Sequence, residues 1–134
     1  KSFVDAGEVP MSDYTFLAKS LDRVEKLQQD VFHMIASGIT GDPTHALLEY
    51  FHTFYGLMEA QQCLVTRLQL MQLPETQGLI SSIYEVTASL GRRKDQGLLD
   101  YHVEAKRFCL HKIAELSGES IEALEDVDFT DFDL

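Results

Sequence analysis

Apolar residues recur at three- and four-residue spacing along four successive stretches. The prolines, at positions 10, 43 and 74, stand between such stretches and never inside one. This pattern predicts four amphipathic helices. The first spans about residues 12–37. Leu17, Leu21, Val24, Val31 and Ile35 share a face, Gln28 fills the gap in their stripe, and Leu27 and Met34 widen it. Lys19, Asp22, Arg23, Lys26 and Asp30 take the opposite side, with Asp22 and Lys26 spaced for an i,i+4 ion pair, and Gly38 and Gly41 end the helix. The second opens at Asp42-Pro43, an N-cap followed by proline at the first helical position, and runs to about residue 73. Leu47, Phe51, Phe54, Met58, Val65 and Leu68 form one of its stripes; Leu57, Leu64 and Met71 form another. The third covers about residues 75–94 on Leu79, Ile83, Val86 and Leu90. Arg92-Arg93-Lys94 is placed in its last turn, where cations meet the negative end of the helix dipole. The fourth covers about residues 98–116, with Leu99, Val103, Leu110, Ile113 and Leu116 inward and Ser117-Gly118 as its stop.

Short connections favour antiparallel neighbours, so the pattern predicts an all-α fold: a four-helix up-down antiparallel bundle with a short C-terminal helix and an acidic tail. The excess of Leu over Val and Ile, 18 against 14, agrees with helix over strand. A chain of 134 residues is one domain. Residues 1–11 read as a flexible N-terminal arm or leader, Met11-Ser12-Asp13 being a natural start. Residues 12–118 read as the bundle, and 119–134 as a short helix, capped by Ser120 and running to about residue 126, plus the tail. The first ten residues have no apolar core of a signal peptide, and no run of 18 apolar residues exists, so the expectation is a cytoplasmic protein with no membrane contact. Cys63 and Cys109 read as reduced, buried small hydrophobes.

Charge changes this picture twice. Between Ala46 and Pro74 the only charged residues are Glu49, Glu59 and Arg67. An apolar surface that wide is wrapped by the other helices or shared with a second copy, and a homodimer through helix 2 is the expectation. The net charge of −11 has the wrong sign for a nucleic-acid or anionic-lipid surface. Seven acids and no base fall within residues 119–134, so the bundle itself is only mildly acidic.

Candidate chemistry is sparse. Glu49-x-x-His52 has the i,i+3 spacing of one half of a ferritin-like metal motif, but the second half is missing, and no metal or cofactor is expected. His33, His52 and His102 lack the small-residue surroundings of a phosphotransfer histidine, His111-Lys112 is the nearest approach to one, and a half-buried structural histidine is the expectation at each. There is no Gly-x-Ser-x-Gly and no phosphate-cradling loop, and Glu119-x-x-Glu122-x-x-Glu125 lies only in the tail, so catalysis is not expected. Tyr50, Phe51, Phe54 and Tyr55 crowd the start of helix 2 as core or as a pocket for an apolar ligand, and Tyr14, Tyr84 and Tyr101 are placed to close the same core.

The tail carries the clearest functional signal. Phe129, Phe132 and Leu134 are spaced by Thr130, Asp131 and Asp133, an acidic-hydrophobic pattern suited to a groove with an apolar floor and a basic rim. This pattern resembles the C-terminal peptides by which polymerases and phage transcription coactivators hold a DNA sliding clamp, which would imply a protein partner for it. Folding back onto Arg92, Arg93 and Lys94 is the alternative. The expected function is a small non-enzymatic interaction or regulatory protein with a protein partner. Alternatives are a bundle with an internal metal or small-molecule site around Glu49 and His52, or a phage or mobile-element protein of no general family.

Overall fold

A computed structural model describes residues 11–39, 41–71 and 73–119. Four helices make up the fold, and no strand occurs among the described residues: α1 (Met11–Ser37), α2 (Pro43–Met71), α3 (Pro74–Ser89) and α4 (Leu98–Ser117). No helix among these residues is long and apolar enough to cross a membrane. The arm expected before Met11 and the short helix and tail expected after Ser120 lie outside the described residues.

The helix ends follow local chemistry. Gly38 takes φ +73° and donates its amide to Met34 O, closing α1. Asp42 caps α2, its Oδ1 accepting the Thr44 amide at 3.1 Å. Helix α3 stops at Ser89, a turn or more before the expected end. Gly91, at φ +106°, allows a Schellman closure in which Arg92 N bonds Thr87 O and Gly91 N bonds Ala88 O. Arg92-Arg93-Lys94 therefore belongs to the connection and not to a last helical turn.

Helix α2 is the hub. Leu57, Met58, Leu64, Val65 and Leu68 are fully buried, and Val24 and Val31 of α1, Ile83 of α3 and Cys109 and Tyr101 of α4 join them in one core. The width of its apolar surface is thus absorbed within one chain. Its exposed stripe is Cys63, Thr66 and Leu70.

The pairings fix the direction of each partner. Gln28 meets Gln61, and Phe16 lies under Arg67, so α1 runs antiparallel to α2. His102 meets Gln61, Lys106 meets Glu59, and Ile113 packs on Leu48, Phe51 and Tyr55, so α4 is antiparallel to α2 as well. Helices α1 and α4 consequently point the same way, which departs from the alternating up-down order expected from loop length. The eight residues between α3 and α4 provide the room for this return.

Two inward assignments change. Ile35 is 51% exposed, because α1 and α2 leave a cleft between their adjoining ends. Val103 is also exposed, since the buried face of α4 runs through Leu98, Tyr101, His102, Cys109 and Ile113. The surface ion pair of α1 is Lys26–Asp30 at 3.1 Å rather than Asp22–Lys26.

Candidate functional site

The centre of the helix layer is polar. His102 has no exposed surface, and its Nε2 lies 2.9 Å from Gln61 Oε1. Facing an oxygen, that nitrogen carries the proton. The Gln61 amide nitrogen in turn donates to Gln28 Oε1 at 3.1 Å, so one hydrogen-bonded row crosses α4, α2 and α1. Nδ1 of His102 is buried without a partner. Burial, with Lys106 nearby adding to it, lowers the His102 pKa to about 4. One turn along, Lys106 pairs with Glu59 on the edge of the same interface. A neutral, fully enclosed imidazole is not placed for phosphotransfer. It holds three helices in register.

Glu49 and His52 do not form a metal half-site. His52 Nδ1 is tied to Leu48 O of its own helix at 2.9 Å, while Glu49 lines the cleft between α1 and α2. No group of three His, Cys, Asp or Glu side chains able to hold a metal ion occurs among the described residues.

The aromatic residues divide between two places. Tyr50 stacks edge-on against Phe51 and lies 5.7 Å from Phe54, and Phe51 meets Phe108 of α4 at 5.9 Å. Tyr55 packs on the same core, with the Lys106 ammonium 5.8 Å from its ring. Tyr101 closes this core from α4, donating to Leu90 O at 2.8 Å, and its burial pushes the phenol up to about 12. Tyr84 does not close the core; it is exposed beneath the Arg92 guanidinium, 3.6 Å from the ring centroid. The side chain of Tyr14 lies outside the described residues.

Arg92 is not an anion site. It is buried, and its guanidinium donates to Thr87 Oγ1, Arg93 O, Gln96 O and Tyr84 O. Arg93 is exposed and pairs with Glu104 at 3.5 Å, and Lys94 is the other exposed cation of the expected trio. Phe129, Phe132 and Leu134 lie outside the described residues. Cys63 is exposed, its thiol directed at Glu59 Oε2, because it falls on the wet stripe of α2. Cys109 is buried, and burial raises its pKa to about 12.

An open concave surface lies elsewhere, at the adjoining ends of α1 and α2. A cleft of about 550 Å³ is lined by His33, Met34, Ile39, His45, Leu47 and Tyr50, among others. Ile35 and Ile39 on its wall are 51% and 57% exposed, and Phe32 beside them is 38% exposed. No periodicity argument finds this feature, since Ile35 obeys the stripe of α1 and only the divergence of two helix ends uncovers it. The row through His102 did leave a trace: Gln28 interrupts the apolar stripe of α1, and Gln61 sits in the charge-poor run of α2. Comparison with protein families, with curated proteins and with solved structures finds no match for this chain.

Proposed function

We propose that this chain is a small non-enzymatic interaction protein, and that its contact surface is the cleft at the joined ends of α1 and α2. The observation that carries this reading is the exposure of Ile35 and Ile39 together on the wall of one cleft, with Phe32 exposed beside them on α1. Apolar residues gathered around a cleft mark a surface that another group covers. The occupant that fits is an apolar peptide segment with polar flanks, the floor being Met34 and Leu47 and the rim His33, His45 and Glu49. Self-association through the middle of α2 is not part of the reading, because Leu57, Met58, Leu64, Val65 and Leu68 are buried within the chain.

A photoreactive benzoylphenylalanine at position 35, compared with one at the exposed Glu25 of the same helix, tests this in cells. The expected result is one discrete protein adduct from position 35 and none from position 25. Identical adduct patterns from both positions would remove the cleft as a contact surface.

The second reading, a small-molecule site, is favoured by Glu49 and Tyr50 meeting in this cleft. It shifts from the Glu49–His52 pair to Glu49 and Tyr50. Mass spectrometry of the purified chain under native conditions tests it, a bound small molecule lost on Tyr50→Ala being the supporting result.

A further inference from the structure

The chain's own course supplies an occupant for this cleft. Ile113 of α4 packs against Leu48, Phe51 and Tyr55, so α4 ends beside the first turns of α2. Five more residues, about 7 Å of helix rise, carry the backbone to Gly118, where φ +78° ends the helix. The cleft is lined from that same end of α2 by His45, Leu47 and Tyr50. Residues 120–134 therefore start at the end of the molecule that carries the exposed Ile35 and Ile39. Phe129 lies eleven residues after Gly118, a reach of up to about 36 Å. The competing landing place is weaker, for the α3–α4 connection adjoins the opposite end of α4, and its Arg92 and Arg93 are already engaged.

Chemistry agrees with position. The segment offers Phe129, Phe132 and Leu134, and the cleft offers an apolar floor in Met34 and Leu47 with Ile39 on its wall. We propose that residues 120–134 of this chain bind back into the cleft between α1 and α2, with Phe129 and Phe132 covering Met34, Ile39 and Leu47. The inference rests on the reading of this cleft as a contact surface and names its resident ligand. An outside partner then enters by displacing the segment, which makes the tail an autoinhibitory element.

Benzoylphenylalanine at the exposed position 39 of the purified full-length chain tests the proposal at low protein concentration. Irradiation is expected to join position 39 to a peptide from residues 120–134 at the mass of one chain. F129A/F132A, outside all four helices, is expected to lower that yield about tenfold with the far-ultraviolet dichroism unchanged, given the area two Phe rings bury. Crosslinks confined to residues 1–119, crosslinks at the mass of two chains, or a yield indifferent to F129A/F132A would each overturn it. Failure of the underlying reading is read separately, in cells: if the cleft is a contact surface, position 35 still captures an outside protein whether or not the tail competes, and F129A/F132A raises that capture only if it does.

Discussion

His102 is held neutral by its position, buried on α4 with its Nε2 donating to Gln61 and its Nδ1 lone pair without a hydrogen-bond partner. The folded chain resists the proton down to about pH 4, whereas the unfolded chain accepts it near the ordinary value of 6.5. Between these two values the unfolded state binds more protons, so the His102 contribution to stability falls as pH drops below about 6.5 and levels off near 4. From pH 7 to pH 5 the linkage amounts to about 2 kcal/mol. Urea unfolding should therefore show the native chain losing about that much more than His102→Gln over this interval. Equal losses in the two proteins would mean that the imidazole is not enclosed as described.

At the scale of elements, the return from α3 to α4 depends on one side chain. Arg92 gathers four acceptors from α3 and from the connection itself, and it stacks on Tyr84. A buried guanidinium with its donors satisfied organises a loop that has no apolar core of its own, and a lysine lacks the planar fork to do this. Arg92→Ala is expected to lower the unfolding free energy by roughly 2–4 kcal/mol, with Arg92→Lys recovering less than half. A urea midpoint for Arg92→Lys equal to that of the native chain would refute this role. The same segment shows how far sequence reaches. All four helices, the Asp42-Pro43 start and the Gly38 and Gly118 stops are written in periodicity and capping residues, which act over a few positions. Gly91 belongs to the same class of local signal, yet the cations after it suggested a longer helix. The direction of α4 against α2 and the enclosure of Arg92 arise from contacts between residues far apart in the chain. The cleft is harder still to read, being a gap that two helices fail to fill. Val103 is misplaced by one step of helical phase, about 100° around the axis, which is enough to turn a buried position into a wet one, and Cys63 by the general tendency of free cysteine to be buried.

For the whole molecule, the question is whether one chain satisfies its own apolar surface. A charge-poor helix 29 residues long favours a partner subunit when read alone. In the folded chain α1 and α4 cover it from two sides, and α3 covers its last turns. Beyond its first turn, what α2 leaves outside is narrow and mixed: Cys63, Thr66, Gln69 and Leu70, the last 76% exposed. A single exposed leucine flanked by polar groups is far below the fully buried apolar core of a stable dimer interface, which takes roughly 800 Å² from each partner. Light scattering at about 50 μM is expected to give the mass of one chain, 15.2 kDa, and Leu70→Asp is expected to leave that mass unchanged. The larger exposed apolar surface, Phe32 with Ile35 and Ile39, lies at the end of the molecule where α4 terminates, so association that does occur should respond to that end. A dimer mass abolished by Ile35→Asp but indifferent to Leu70→Asp would place the subunit contact at the cleft, and a dimer abolished by Leu70→Asp would return it to α2.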